Sequence, residues 1–427
     1  MILHRLFTLG LILLLLAGCG GDAEDEEKQI VFAVGGAPSE IDFWEALIDE
    51  FSTEYQIDVS IVRQPTDTDQ RRQGLVVSLK ARDDDPDVFL MDVAWLAQIA
   101  ASGWLEPLNT ETDRIKTEAF FENILNLADR YNGKLMALPV YVDGGVLYYR
   151  MDLLEEIGVK NPPGTWQELI EYSQKVLDIK REDNPDFYGF VWQGAQYEGL
   201  ICNFLEFASS NNGGFIFEGD SLRLNIPENV EALRMMHDII HEHKISPPNT
   251  YTEFTEEEVR LFFQNGNALF ERNWPYAWNL HQSPKSPVKD KIGIDVLPHF
   301  EGGESISTLG GWHIGISVYS DVKSEARRFV EYVTSYETQK RLALNLGWNP
   351  GRKDVYSDSE VLERLPHFAE LRDVFENAYP RPTRPYYSQM SAILQKHLNS
   401  ALAGEVNPEA ALEAAETEIQ DIINRYR

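Results

Sequence analysis

The chain has 427 residues, of which 43% are hydrophobic and 11% are aromatic, so it has ample material for burial. This length is large for a single core and predicts two lobes or domains. Asp and Glu number 69 against 38 Lys and Arg, which gives a formal charge of −31. Because so acidic a surface repels phosphate backbones and anionic lipid headgroups, we expect no nucleic-acid partner.

The N-terminal segment predicts export. His4 and Arg5 precede the apolar run 6–16, which has the length of a signal-peptide core and is short for a membrane span. The run ends in LAGC, which resembles the bacterial lipoprotein processing motif. This resemblance implies that residues 1–18 are a signal peptide and that Cys19 is lipidated; the alternative is an ordinary cysteine after a signal anchor. Residues 19–28 are mostly Gly and acid and predict a flexible tether.

The second cysteine, Cys202, is predicted to be structural. If Cys19 carries a lipid, no intramolecular disulfide can form, because the chain has two cysteines. Cys202 lies in the apolar run 200–204, which indicates burial rather than reactivity.

The first hundred residues predict alternating strands and helices. Apolar runs at 30–34, 59–62 and 86–91 are strand candidates, and the third reads as buried on both faces. Between them, helical spacing of apolar residues predicts helices over 41–51 and 68–82, with Ser39 as a cap for the first. This order predicts an α/β fold with right-handed βαβ units and mainly parallel sheets.

The predicted sheet also indicates where a ligand would bind. Ligands of open α/β sheets lie beyond the carboxyl ends of the strands. Residues 35–40 follow the first strand and Asp92 follows the third at once, so both are expected to face a crevice. Two interpretations of Asp92 stay open, a crevice residue or the N-cap of a helix over 93–101.

Later segments continue the alternation. The extended stretch 135–149 is interrupted by the sequence Asp-Gly-Gly at 143–145, which predicts the first crossing between lobes. Thr165 and Glu168 form a capping box that opens a helix through residue 177. Further helices are predicted over 229–242, 255–265, 324–346, 388–402 and 408–426, with a turn at 211–214 and strands at 292–297 and 315–318.

The stretch 271–278, ERNWPYAW, carries the main functional signal. Trp274, Tyr276 and Trp278 lie beside a carboxylate, a guanidinium and an amide, and Pro275 interrupts any continuous helix. A flat aromatic surface packs on the C–H face of a sugar, and polar neighbours serve its hydroxyls. The alternative is that the rings fill a core.

Two arginines are further candidates. Arg71 lies in the sequence QRRQ near the start of a predicted helix, and its guanidinium can donate paired hydrogen bonds to hydroxyls or carboxylates. Arg381 lies between prolines in a rigid, non-helical segment. Either residue alone is more often structural than functional.

The predicted crossing and a glycine-containing stretch supply four more candidates. Tyr141 and Asp143 lie at the crossing. Gly311 precedes Trp312, and a glycine there allows the backbone to approach a ligand closely.

Patterns for catalysis and metal binding are weaker. The sequence contains no phosphate-cradling loop, dinucleotide fingerprint or nucleophile elbow. His237, His241 and His243 lie on or near one helix, and the first pair has the i, i+4 spacing of metal ligands. No Glu follows His237, so an exposed helical face is the better interpretation. A glycosidase needs two carboxylates at the right separation, and 69 acidic residues leave that alternative open.

Nine stretches across the mature chain resemble one family. They are GGAPSEIDFW, DTDQRRQ, DPDVFLMDVAWL, ASGWLEPL, ALPVYVDGG, FERNWPYAW, TLGGWHIGIS, NLGWNPGR and PRPTRPYY. They are similar to the trehalose/maltose-binding members of the family 1 extracellular solute-binding proteins, which serve ABC sugar importers. The resemblance runs from about residue 29 to the end. One departure is Ser39, which stands where the resemblance leads us to expect Asn and puts the sugar preference in question.

The resemblance implies a two-lobed periplasmic-binding fold of type II with the ligand in the interlobe cleft. One lobe would comprise 29–139 with 298–333, and the other 140–297 with 334–427. The implied partners are a disaccharide, ABC permease subunits with their ATPase, and the membrane through the N-terminal lipid, for a monomer with no cofactor and no metal. The implied sugar contacts are Glu40, Arg71, Asp92, Tyr141, Asp143, Trp274, Tyr276, Gly311, Trp312 and Arg381.

Three functional hypotheses follow. The first is a lipid-anchored sugar-binding component of an importer, which has no catalytic turnover. The second is a secreted glycoside hydrolase. The third is a peptide-binding or structural lipoprotein.

Overall fold

The protein is described by a computed structural model. It describes residues 29–36, 38–65, 68–108, 115–219, 221–376 and 378–426. The predicted signal peptide, the lipidation site at Cys19 and the tether lie outside the described residues. Within the described part, no helix combines the length and apolar composition that a bilayer span requires.

Strands and helices alternate along the chain. The strands are β1 (Gln29–Gly35), β2 (Asp58–Gln64), β3 (Val88–Asp92), β4 (Arg130–Tyr131), β5 (Lys134–Leu135), β6 (Leu138–Gly144), β7 (Val146–Arg150), β8 (Tyr188–Val191), β9 (Ile216–Glu218), β10 (Ser221–Arg223), β11 (Ala268–Asn273), β12 (Ile292–Asp295), β13 (Thr308–Ile316) and β14 (Tyr379–Pro380). The helices are α1 (Pro38–Tyr55), α2 (Thr68–Ala81), α3 (Leu96–Ala101), α4 (Glu122–Ile124), α5 (Met151–Glu156), α6 (Trp166–Lys180), α7 (Glu198–Ser209), α8 (Pro227–His241), α9 (Thr250–Glu253), α10 (Glu256–Gln264), α11 (Ala277–His281), α12 (Lys323–Val333), α13 (Tyr336–Leu346), α14 (Ser359–Arg364), α15 (Phe368–Glu376), α16 (Tyr387–Leu402) and α17 (Pro408–Arg425).

Two main sheets form the two lobes. The first has the order β14-β13-β3-β1-β2, and β6 also pairs with β13. The second has the order β12-β7-β11-β8. Helices cover both sheets, so the predicted α/β architecture is confirmed.

The sheets are mixed rather than mainly parallel. In the first sheet, β1 pairs parallel with β2 and β3, but β13 pairs antiparallel with β3 and β6. In the second sheet, β7 pairs antiparallel with both β11 and β12. The reason is topological: β3, β6 and β11 run toward the junction of the sheets, whereas β7 and β13 carry the chain away from it.

The chain passes from the first sheet to the second at Gly145, between β6 and β7. Ser307, just before β13, donates a hydrogen bond from its hydroxyl to the Gly145 carbonyl over 2.7 Å. A Cβ added at Gly145 would lie 2.1 Å from Oε1 of Glu206, so only glycine leaves room for that carboxylate. The residue ranges of the two lobes stay a prediction.

Local sequence explains several element boundaries. Thr165 and Glu168 form the predicted capping box of α6, with the Thr165 side chain accepting from the Glu168 amide. Ser335 caps α13, so the single helix predicted over 324–346 is two helices. Helix α1 begins at Pro38, which places Ser39 inside the first turn and not at the predicted cap.

Apolar packing surrounds each sheet and continues across their junction. Strand β3 is buried along its whole length, as its apolar run predicts. One cluster packs α6, α7, α8, α16 and α17 on the second sheet, and another packs α1 and α12 on the first. A third cluster contains both Val142 of β6 and Val146 of β7, so the core is continuous where the chain crosses.

Candidate functional site

Strand ends from the first sheet meet at the junction of the lobes, which we call the interlobe cleft. Trp312 of β13 is paired with Asp92 on one side and Tyr141 on the other. Gly310 is paired with Asp143 at the end of β6. The strand register therefore brings these predicted site residues to one edge of the first sheet, as the carboxyl-end rule indicates for β3 and β6.

Gly311 gives β13 its close approach to β6. Its φ is +118°, a value that side-chain-bearing residues rarely adopt. A Cβ there would lie 2.4 Å from the Tyr141 carbonyl oxygen. Gly311 is thus required for strand packing, and it sets the position of the adjacent Trp312.

Arg71 lies against the Trp312 ring. Its guanidinium carbon is 3.8 Å from the ring centroid, and Trp95 contacts the same indole edge to face at 5.3 Å. The Arg71 side chain is buried, and burial lowers the pKa of its guanidinium. Its Nε has no hydrogen-bond partner among the described residues, so one buried donor is available to a ligand.

Asp92 caps a helix and also contacts an arginine at the junction of the lobes. Its Oδ1 accepts from the Ala94 amide over 2.8 Å and so caps the short 3-10 helix Val93–Trp95. The same oxygen accepts from Arg381 over 2.8 Å. The capped helix is one turn long, and α3 follows it as a separate element.

Arg381 joins the two lobes through paired carboxylates. One terminal nitrogen donates to Asp92, and the other donates to Glu198 of α7 over 2.9 Å. The arginine is 4% exposed, and its Nε has no partner in the described structure. This bridge connects the end of β3 in the first sheet with a helix that packs on the second sheet.

Glu198 is a further candidate site residue that the sequence analysis missed. Its carboxylate also accepts from Tyr387 over 2.5 Å and from the Ser391 hydroxyl, both on α16. The composition of its helix could have identified Glu198 from the sequence. In the helix EGLICNFLEFAS, the acidic residues Glu198 and Glu206 stand among mostly apolar neighbours. A carboxylate in such a helix is stable when a cation or hydroxyls satisfy it.

Asp143 is a carboxyl of the cleft whose pKa is strongly raised. Burial raises its pKa to about 7, and the charges of Asp92 and Glu40 add to the effect. The Asn349 amide at 3.4 Å and the Arg272 charge oppose it. A carboxyl of this kind changes protonation near neutral pH.

Tyr141 and Glu40 complete the first-sheet side. The Tyr141 ring packs on Trp348 at 4.2 Å between centroids, and burial raises the pKa of its hydroxyl. Glu40 lies in the first turn of α1, and its negative charge acts on the pKa values of Arg71, Tyr141 and Asp143. Both residues therefore belong to the electrostatic neighbourhood of the cleft.

The aromatic stretch begins in β11 and continues past the end of that strand. Trp274 comes just after the strand, and its indole Nε1 donates to Glu256 over 3.4 Å. A Cβ added at Gly310 would lie 3.1 Å from Cζ3 of this indole, so the ring reaches the first sheet. The Arg272 guanidinium carbon lies 4.1 Å from its centroid.

Tyr276 and Trp278 differ from Trp274 in their surroundings. The Tyr276 hydroxyl donates to Glu257 of α10 over 2.7 Å, and the Trp278 ring packs on His367 at 4.7 Å. Neither of these two contacts involves a strand of the first sheet. Trp278 thus fits the packing alternative, whereas Trp274 is the ring of this stretch that contacts both lobes.

The histidine group on α8 is not the exposed face that we predicted. His237 and His241 are half-buried, with ring centroids 4.4 Å apart. The His241 Nε2 lies 2.7 Å from the Leu402 carbonyl, because α16 packs against this side of α8. Cys202, in contrast, is free and buried as predicted, and burial raises its pKa.

Two lobes with polar and aromatic side chains at their junction define a ligand-capturing protein of the solute-binding class. The model of the bacterial extracellular solute-binding protein family matches residues 37–340, and the chain belongs to this family. A probable ABC transporter-binding protein of Deinococcus radiodurans is 38% identical over 371 residues, 86% of this chain and 87% of its own.

Further relatives agree with the family and the fold. Maltose-bound MalE3 of T. maritima is 37% identical, with a TM-score of 0.86 over 92% of this chain and 99% of that chain. An arabinooligosaccharide-binding protein of Bacillus subtilis is 25% identical over 435 residues and 96% of each chain. The predicted two-lobed periplasmic-binding fold is confirmed.

Proposed function

We propose that this protein is the sugar-binding component of an ABC importer and that it captures a disaccharide such as maltose or trehalose in the interlobe cleft. The observation that carries the proposal is the meeting of two indoles, Trp274 and Trp312, with carboxylates and arginines at the junction of the lobes. The similarity to maltose-bound MalE3 supports the same ligand class.

The unsatisfied donors of the site favour a hydroxyl-rich ligand. Nε of Arg71 and Nε of Arg381 are buried and lack partners among the described residues. A buried donor without a partner costs free energy, which a sugar oxygen would recover. A hydrogen bond to a charged group contributes about 1.5–3 kcal/mol, so two such contacts suit a neutral sugar.

The carboxylates provide the complementary acceptors. Glu40, Asp92 and Asp143 each carry oxygens that can accept from sugar hydroxyls, and Tyr141 can donate or accept. Tyr276, the middle ring of the aromatic stretch, also belongs to this proposed site and lies beside Glu257. The ten residues implied by the resemblance thus supply stacking surfaces, donors and acceptors, as a disaccharide requires.

Lobe closure would couple capture to transport. The Arg381 bridge between Asp92 and Glu198 joins the lobes, and a ligand that contacts Asp92 and Arg381 would stabilise the closed form. In this proposal a membrane permease recognises that closed form, and a partner ATPase supplies the energy. The protein itself binds its ligand without turnover and acts as a monomer.

We also propose that Cys19 anchors the exported protein to the membrane through a lipid. The support is the sequence LAGC after the apolar run. Expression of Cys19→Ser in a bacterial host should release the protein from the membrane fraction. Persistent membrane attachment of that variant would show that the apolar segment itself is the anchor.

Calorimetric titration of the mature protein with trehalose, maltose, sucrose, an arabinose oligosaccharide and a tripeptide tests the ligand class. We expect saturable heat with at least one of the two glucose disaccharides and none with the tripeptide. Heat with the tripeptide alone would refute the sugar assignment. Glucose release from maltose or trehalose in proportion to protein concentration would establish a hydrolase instead.

Trp274→Ala tests the stacking surface, with Trp278→Ala as the matched control in the same stretch. Removing a stacking ring should weaken disaccharide binding by about 30-fold or more, since aromatic packing and burial contribute about 2 kcal/mol or more. Trp278→Ala should lower the unfolding midpoint but keep the affinity, because its ring packs on His367. Equal affinities of Trp274→Ala and wild type would assign Trp274 to the core.

A further inference from the structure

A buried ion pair lies directly behind the Trp274 ring. Nε of Arg272 donates to Glu206 over 2.8 Å, and a second guanidinium nitrogen donates to the other oxygen of the same carboxylate. Both side chains are 1% exposed. The remaining terminal nitrogen donates to Gln193 over 3.2 Å, so the arginine is held by three hydrogen bonds.

This arginine covers one face of the indole. Its guanidinium carbon lies 4.1 Å from the ring centroid of Trp274. A planar guanidinium stacks well on an aromatic face, and fixed hydrogen bonds leave it little freedom to move. Because Arg272 occupies one face, a sugar can stack only on the opposite face.

The carboxylate of the pair also contacts the first sheet. Oε1 of Glu206 accepts from the Thr308 amide, at the first residue of β13, over 3.2 Å. Strand β13 carries Gly310, which lies beside the edge of the Trp274 indole. The Thr308 hydroxyl donates to the carbonyl of Cys202 over 3.0 Å, one turn before Glu206 on α7. The Glu206 carboxylate thus connects the Trp274 indole, through Arg272, to strand β13 of the first sheet.

We infer that Glu206 and Arg272 are positioning residues that fix the orientation of the Trp274 ring for sugar stacking. The inference rests on the proposed function and deepens it by naming what determines the geometry of the stacking surface. Arg272 holds the ring from behind, and Glu206 holds Arg272 and aligns it with β13. Neither residue needs to touch the sugar.

Stability alone is a weak reason for this arrangement. A buried ion pair often contributes no more than a neutral pair of similar volume, whereas removal of one partner leaves a costly unpaired charge. The double variant Glu206→Gln/Arg272→Met is neutral and close in volume to the wild-type pair. It therefore removes the cation over the ring while avoiding an uncompensated buried charge.

The test monitors the Trp274 ring in the protein without ligand. Protein labelled with 5-fluorotryptophan should give fluorine NMR resonances from its nine tryptophans, and Trp274→Phe identifies the one from Trp274. In the double variant we expect that resonance to shift or broaden while most others stay in place. Maltose binding by calorimetry should weaken by about 10-fold, with an unfolding midpoint close to that of wild type.

A matched control removes an ion pair from the same sheet. Arg150 of β7 pairs with Asp152 at 2.6 Å, away from Trp274. The double variant Arg150→Met/Asp152→Asn makes the same kind of charge change and should leave the Trp274 resonance and the maltose affinity unchanged. The single variant Arg272→Met should be less stable than Glu206→Gln/Arg272→Met, because the Glu206 carboxylate stays buried without its cation.

Two results would overturn the inference. One is an unchanged Trp274 resonance in a folded Glu206→Gln/Arg272→Met protein, and the other is maltose affinity within twofold of wild type in that variant. Failure of the wild-type protein to bind any sugar would refute the proposed function instead. The fluorine spectrum separates the two cases, because its shift and line width report the environment and mobility of the ring in the absence of ligand.

Discussion

Replacement of Asp143 by asparagine should stabilise the protein at alkaline pH. Asp143 lies near the end of β6, where burial raises its pKa from 3.8 to about 7. An acid whose folded-state pKa is raised binds its proton more tightly in the folded state than in the unfolded state. Folding stability is therefore lost as pH rises from the unfolded pKa toward the folded pKa.

The size of this effect follows from the two pKa values. A difference of roughly three units corresponds to an upper bound of about 4 kcal/mol of destabilisation at pH 8. About 1.7 kcal/mol of this is already present at pH 5, so about 2.5 kcal/mol develops between pH 5 and pH 8. Asparagine cannot ionise, and it can still hydrogen-bond with Asn349. Asp143→Asn should therefore not lose folding stability as the pH rises.

Urea unfolding of wild type and Asp143→Asn at pH 5 and pH 8, without sugar, measures this difference. We expect the variant to gain up to about 2.5 kcal/mol relative to wild type between the two pH values. Asp358 provides the control, because a hydrogen bond from Tyr336 and an ion pair with Lys340 lower its pKa to about 2. Asp358→Asn should therefore differ from wild type by the same amount at both pH values. A pH-independent difference for Asp143→Asn would refute the assigned titration.

Two further predictions concern the cleft. Arg381→Lys keeps the positive charge but replaces three separated guanidinium nitrogens by one, which cannot hold the contacts with Asp92, Glu198 and a ligand in place, so disaccharide affinity should fall by about 10- to 100-fold in calorimetry. An affinity equal to that of wild type would show that Arg381 does not contact the sugar. Gly311→Ala places a Cβ against the Tyr141 carbonyl at positive φ and should cost about 1–3 kcal/mol in urea unfolding. Gly74→Ala, in a helix with open space around it, should be neutral or stabilising by up to about 1 kcal/mol; equal stabilities of the two alanine variants would contradict the role given to Gly311.

The sequence predicted elements well where local chemistry determines them. The capping box at Thr165 starts α6, and the all-apolar run of β3 is buried throughout. The carboxyl-end rule placed Asp92 where β3 ends, because strand ends are readable from hydrophobic patterns. Asp143 was placed by the two glycines that follow it, and it lies near the end of β6, where the chain passes to the second sheet. The site assignment as a whole remains a prediction that binding measurements will test.

Pairings between distant residues could not be predicted in the same way. Strand direction in the second sheet depends on where β7 leaves the junction, which no local pattern records. Glu198 meets Arg381 across 183 positions, and Glu206 meets Arg272 across 66. In each case the sequence shows an acid in an apolar helix but not the cation that neutralises it.

The sequence by itself determined the periodic elements, the acidic surface and the family resemblance, because these depend on composition and on short-range spacing. The tertiary structure decided which charges pair and which aromatic rings are used. Trp274 and Trp278 are the same residue type four positions apart, yet one reaches the first sheet and the other packs on His367. That difference arises from the packing of β11 and α11 against other parts of the chain, which spacing alone does not encode.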